Sequence, residues 1–295
     1  MNSAQTNGSC SLIAIVGETA SGKTSAAIEI AKRVNGEIIC ADSRTVYKQL
    51  DIATAKPTKT EREAAEHHLV DVVYPNEKFS AAQFKRLAEK CIQDIQIRGK
   101  VPIVVGGTGL YIDALLYNFQ FADKPDEQLR QNLEQMNDDE LTTLLKTKNI
   151  DTSSLNTKNR RHVIRAIERN GVKPNDKKLR TNTIILGISL ERSELRARVT
   201  RRTELMFDSG LLEEAKSLIK QYGSVESLKT PGYQAAERYL ANEITLDEAK
   251  SQFIQADMQL AKRQRTWFRR SAVIEWFDDP KLLVNEAVRF IDNRS

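Results

Sequence analysis

Cysteine is scarce in this chain: the 295 residues hold three, Cys10, Cys40 and Cys91. An odd number with no metal-ligand spacing excludes a disulfide scaffold and a thiolate zinc knot. Cys40 falls in an apolar run and Cys91 in a helical stretch, so both are expected as small core residues in a reducing compartment. Long apolar runs are also missing, and none approaches the roughly 18 residues of a spanning helix. The start, MNSAQTNGSC, has neither the basic nor the apolar region of a signal peptide. A cytoplasmic protein with no membrane partner is expected. Neither sign of charge dominates: Lys and Arg number 45 against 40 Asp and Glu, a net charge of +5. With 40% hydrophobic and 29% charged residues, the chain has an ordinary globular composition. Internal repeats and low-complexity tracts are absent.

What is present is a pattern of short apolar runs alternating with helical ones. SLIAIVG (11–17), EIICADS (37–43) and VPIVVGGTG (101–109) are rich in β-branched residues and end in turn signals, which predicts buried parallel strands. Helical periodicity covers Lys23 to Val34 and Ser80 to Arg98, with Ser80 as the cap of the second stretch. TNTIILGISLER (181–192) and AVIEWF (272–277) predict two further strands. The fold class that follows is α/β, a P-loop NTPase-like parallel sheet flanked by helices. From about residue 123 the chain turns polar, helix-forming and rich in Asp and Asn. We therefore expect a core from 11–122 and 181–295, interrupted by a helical insertion subdomain at 123–180.

Gly17-Glu18-Thr19-Ala20-Ser21-Gly22-Lys23-Thr24 matches the Walker A pattern and has the strand before and the helix after that the pattern requires. Backbone N–H groups of such a loop and the N-terminus of its helix converge on phosphate oxygens. Lys23 adds a positive charge, and the Thr24 hydroxyl is a ligand for Mg²⁺. A Walker B acid is missing, because VPIVV runs into Gly106-Gly107-Thr108-Gly109. That weighs against a motor or switch ATPase. The acid that does follow a strand is Asp42, on the sheet edge where α/β ligands bind. It is a candidate general base, its plainer role being to cap the next segment.

In LRARVTRRTELM (195–206), at about 100° per residue, Leu195, Val199 and Met206 share one face and Arg202 falls within it. A guanidinium on an apolar face needs an anion, either a buried carboxylate or a bound diphosphate. Further on, Phe253, Leu260 and Trp267 recur at seven-residue spacing, with Lys262, Arg265 and Arg269 expected on an outward basic face. His67-His68 lacks a second ligand pair and is expected in a loop or packing role.

These blocks, with ADSRTVYKQLDIATAKP (41–57), HHLVDVV (67–73), PIVVGGTGLYIDALL (102–116), RRHVIRAIE (160–168) and LAKRQRTWFR (260–269), closely resemble the tRNA dimethylallyltransferases, in order and over most of the chain. The resemblance implies transfer of a dimethylallyl group from dimethylallyl diphosphate to N6 of adenosine-37, beside the anticodon of tRNA, with Mg²⁺ as cofactor and a monomer as the working unit. The loop Gly17–Thr24 would then hold the diphosphate and not ATP. Asp42 matches the family's base, Thr24 its Mg²⁺-linked hydroxyl, and Arg202 an arginine near the diphosphate. Asp42, Ser43, Arg44, Thr45, Thr108, Arg130, Asn159, Arg160, Arg161, His162 and Val163 fall where the family meets tRNA. The chain departs from the family at Glu18, where Pro is common, at Arg44-Thr45, where Met-Gln is usual, and at Ala53, His162 and Met258. Two other readings start from the same loop: a P-loop small-molecule kinase, and a prenyltransferase acting on free adenine nucleotides.

Overall fold

The computed structural model describes residues 11–119, 121, 127–153, 155–171 and 178–294. Cys10 and the polar start, 1–10, lie outside the described residues, as do 122–126 and 172–177 of the polar segment. The chain divides into two compact units, one made of residues 1–116 and 179–295, the other of Tyr117–Lys178. The boundaries expected from composition were 123 and 180.

The larger unit is built on one six-stranded sheet, all of whose paired strands are parallel. In chain order its elements are β1 (Leu12–Gly17), α1 (Lys23–Val34), β2 (Gly36–Cys40), α2 (Lys59–Ala64), β3 (His67–His68), α3 (Ala81–Ile97), β4 (Val101–Gly106) and α4 (Gly109–Leu116). The smaller unit supplies α5 (Glu127–Gln135), α6 (Asp138–Thr147) and α7 (Arg160–Glu168). The larger unit then resumes with β5 (Thr183–Ile188), α8 (Arg192–Asp208), α9 (Leu211–Tyr222), α10 (Pro231–Leu240), α11 (Leu246–Phe268), β6 (Ile274–Phe277) and α12 (Pro280–Asp292). The strand order is β3-β2-β4-β1-β5-β6.

Strand β1 lies between β4 and β5, and all six of its residues are buried. A strand covered on both faces has no polar side to present, which is why LIAIVG reads as an unbroken apolar run. Helix α1 packs its Ala26, Ala27, Ile30 and Ala31 into the same core as Ile13 and Ile15. Ser80 caps α3 as expected: its hydroxyl accepts from the Gln83 amide while Gln83 returns to the Ser80 amide. His67 and His68, expected in a loop or packing role, form a two-residue edge strand against Ile38 and Ile39. Two residues are too few to show an alternating pattern. The smaller unit has its own core, in which Leu133, Leu141, Leu145, Val163, Ile164 and Ile167 are buried together.

Candidate active site

The chain leaves β1 at Gly17 and turns back into α1 through Gly22, whose φ of 96° belongs to the left-handed region that a side chain resists. The turn aims the N-terminus of the 12-residue α1 at a cavity of about 950 Å³. Thr19 to Thr24 line one wall, and Asp42 to Thr45 and Gly106 to Thr108 line the opposite one. Both walls are loops at the carboxyl ends of parallel strands, where α/β sheets bind ligands.

Lys23 donates from Nζ to the Glu18 carbonyl oxygen. Burial draws its pKa down from 10.5 to about 8; Asp42 and Glu18 oppose that fall, and Arg202 adds to it. The ammonium therefore sits where an added anion would raise that pKa again. Arg198 and Arg202, one helical turn apart on α8, line the same cavity. Arg198 reaches the Ser21 carbonyl at 3.2 Å and Glu194 at 2.6 Å. Arg202 pairs with Asp257 of α11 at 2.5 Å, and its Nε is buried without a partner. So the carboxylate that Arg202 required is a side chain of this fold, and one N–H remains for a ligand. Asp257 is 4% exposed, and desolvation raises its carboxyl pKa against the pull of Arg202.

Asp42 lies two residues past β2. Its Oδ1 accepts from the amides of Arg44 at 2.7 Å and Thr45 at 3.4 Å, which fixes the turn that follows. The capping role thus falls to Oδ1, and Oδ2 makes no hydrogen bond among the described residues. Thr108 accepts from the Ser43 amide at 3.0 Å, tying the two loops together. The hydroxyls of Ser21, Thr45 and Thr230 line the cavity, buried and without partners. Buried hydroxyls of this kind are hydrogen-bonded in native proteins, so three orphans around one cavity mark a place for a polar ligand.

Three residues of α11 shape the site, and two of them, Gln264 and Asp257, were not singled out from sequence. Gln264 accepts from the Thr19 amide at 2.7 Å and donates to the Gly107 carbonyl at 3.2 Å. Asp257 holds Arg202. Arg265 is a correction: it does not face outward with Lys262 and Arg269 but turns inward to Glu18 at 2.5 Å and to the Leu190 carbonyl at 2.7 Å. A carboxylate buried in the phosphate loop draws the guanidinium in. The buried face of α11 runs through Ala249, Phe253, Asp257, Ala261 and Phe268, while Leu260 and Trp267 of the expected stripe are half-buried. Trp267 packs so close to Gly109 that an added Cβ would lie 2.3 Å from its ring, and its indole N–H donates to Asp113 at 3.1 Å.

The smaller unit holds the other residues expected at tRNA. Arg161 and His162 are exposed at the start of α7. Asn159 caps that helix through the Arg161 amide. Arg160 is spent internally, on Asp138 and on the carbonyls of Leu133, Glu134 and Met136. Arg130 pairs with Glu134 and Glu168, and Val163 is in the core.

A parallel six-stranded sheet flanked by helices, with a glycine-rich loop between β1 and α1, defines an α/β fold of the P-loop-like class. The family model described as IPP transferase matches residues 45–271. A tRNA dimethylallyltransferase of Anoxybacillus flavithermus is 41% identical over 96% of both chains. One from Streptococcus pyogenes is 41% identical over 90% of both. Among solved structures, the tRNA isopentenylpyrophosphate transferase of Bacillus halodurans superposes with a TM-score of 0.75 at 37% identity, covering 96% of both chains. A eukaryotic dimethylallyltransferase acting on tRNA gives 0.83 at 26% identity, covering 97% of this chain and 80% of that one. The chain belongs to the IPP transferase family.

Proposed function

We propose that this protein transfers the dimethylallyl group of dimethylallyl diphosphate to N6 of adenosine-37 beside the anticodon of tRNA, releasing diphosphate. The observation that carries the reading is the shared cavity. An anion cradle of loop amides, Lys23, Arg198 and Arg202 faces a carboxylate with one oxygen free of recorded partners. Relatives named tRNA dimethylallyltransferase along nearly the whole chain support it.

In this reading the C1–O bond of the donor breaks and its electron pair leaves on the diphosphate. The cradle stabilises the charge that develops there, in a site where fixed dipoles and cations act with little screening. The N6 amine is a poor nucleophile, because its lone pair is conjugated into the purine. Asp42 accepts an N6 proton as the N6–C1 bond forms, keeping the nitrogen from carrying a full positive charge. The adenosine must leave its stack to reach the cavity, at a cost of a few kcal/mol.

Mg²⁺ fits the donor chemistry of this cavity, whose lining includes the Thr24 hydroxyl and the Asp42 carboxylate, both hard oxygen donors. Thr24 would hold it, with the diphosphate supplying further oxygens, and the ion would neutralise charge on the leaving group. No described helix is long and apolar enough to cross a membrane. We take the protein to act as a monomer in the cytoplasm.

The test is Asp42→Asn, which keeps the Oδ1 cap and removes the basicity. Prenyl transfer to a tRNA anticodon stem-loop should fall by about 10²-fold or more, while tRNA affinity and melting temperature hold. Turnover close to wild type would refute the base. Dimethylallyl diphosphate, and not ATP, should protect the fold against heat; the reverse would favour a kinase.

A further inference from the structure

Glu18 has no counterpart among the groups that ordinarily hold phosphate. It is an acid within the anion-binding loop, only 2% exposed. Its carboxylate is absent from the cavity lining and lies against Arg265 of α11, at 2.5 Å from Nε and 3.0 Å from Nη2. Arg265 in turn donates to the Leu190 carbonyl beyond β5 at 2.7 Å. The backbone of the same Glu18 carries the carbonyl to which Lys23 donates. A unit negative charge therefore sits within the loop that must accept a polyanion, and one guanidinium lies directly against it.

We infer that the Glu18–Arg265 pair is a charge-compensating positioning device, in which Arg265 cancels the Glu18 carboxylate so that the loop stays attractive to a diphosphate. The inference rests on the donor-site reading of the cradle given above. Arg265 touches no substrate in it and acts through Glu18. The sign of the effect separates it from a plain structural latch. A latch is weakened by removing either partner. A compensated charge behaves asymmetrically: losing the cation exposes an anion to the cradle, whereas losing the anion leaves a cation that favours phosphate. The pair lies in a poorly screened interior, so the effect reaches across the loop.

The experiment is a two-residue cycle read by calorimetric affinity for inorganic diphosphate and for dimethylallyl diphosphate, with circular dichroism to confirm folding. Arg265→Met should weaken binding of both by about tenfold, and Arg265→Lys should stay near wild type. Glu18→Gln should bind both more tightly by a few-fold, and Glu18→Gln/Arg265→Met should recover most of the loss. The inference is overturned if Glu18→Gln weakens binding as Arg265→Met does, or if Arg265→Met binds like wild type. Should Arg265→Met fail to fold, Glu18→Gln decides alone: tighter binding supports the device, equal or weaker binding overturns it. If the wild type binds inorganic diphosphate but not the prenyl compound, the donor reading falls while the charge cycle is still read with diphosphate. If it binds neither, both fall.

Discussion

The amide of Thr19 donates to Oε1 of Gln264 at 2.7 Å, while the Nε2 of the same side chain donates to the Gly107 carbonyl at 3.2 Å. One residue of α11 thus fastens the phosphate loop to the glycine turn that faces it. Both walls of the cavity depend on a helix far away in sequence, 245 residues from Thr19 and 157 from Gly107.

Replacing Gln264 with Leu should strand a donor and an acceptor at a part-buried site. The expected loss is about 1–3 kcal/mol, read as a lower midpoint in urea denaturation with an unchanged slope. The KM for the prenyl donor should rise in the same variant. A midpoint equal to wild type would mean that the bridge contributes nothing net.

Lys23 is predicted to be a stability cost. Burial lowers its folded pKa to about 8 from 10.5, so the fold disfavours the ammonium form. That penalty is present in full below pH 8 and is relieved as pH climbs towards 10.5. At pH 7, Lys23→Met should stabilise the ligand-free protein by on the order of 2–3 kcal/mol and abolish donor binding. Wild-type affinity for diphosphate should decline as pH rises through about 8, because the cation it needs is then lost. A variant less stable than wild type, or an affinity flat to pH 9.5, would contradict this.

Glu37 carries the opposite sign. Its carboxylate, 2% exposed, accepts both Arg98 nitrogens, Lys100 at 2.8 Å and His68 at 2.7 Å. Arg98 above all holds it well below the usual carboxylate range. The pair's stability is complete above the ordinary value of 4.5 and is lost as pH falls below it. Glu37→Gln should cost about 3 kcal/mol at neutral pH, and its stability should vary less than wild type's between pH 4.5 and acid unfolding. Parallel curves for the two proteins would argue that another group sets the acid response.

The outer face of α11 exposes Lys262, Arg263 and Arg269. If these meet RNA phosphates, Lys262→Gln/Arg269→Gln should reduce the salt slope of tRNA binding by about 1–2, as measured by filter binding across salt. Arg265→Gln should leave that slope alone, since its side chain is turned inward. Equal slopes for the double variant and wild type would remove this face from the interface.

The sheet was legible because buried parallel strands such as LIAIVG and VPIVV carry their burial in composition, and the phosphate loop because its glycines mark the turn. Strand β3 was not, since two histidines carry no period. Half of the site was also visible: Arg202 stood out as a charge on an apolar stripe. The same rule applied to α11 would have found Asp257, four residues from Phe253 and from Ala261. A heptad drawn through Leu260 and Trp267 hid it. Arg265 could not be read from its own helix, because what turns it inward is Glu18, and the distance between them in sequence leaves no local trace.

The order of the chain has a consequence for synthesis. The cradle's first wall, Thr19 to Thr24, is made more than two hundred residues before the side chains that hold it, Asp257, Gln264 and Arg265. A nascent chain halted before them carries a phosphate loop with no latch and an acid with no counter-ion. Such a chain should stay blind to isoprenoid diphosphate until α11 arrives, so competence would switch on with that one helix rather than grow as the sheet assembles.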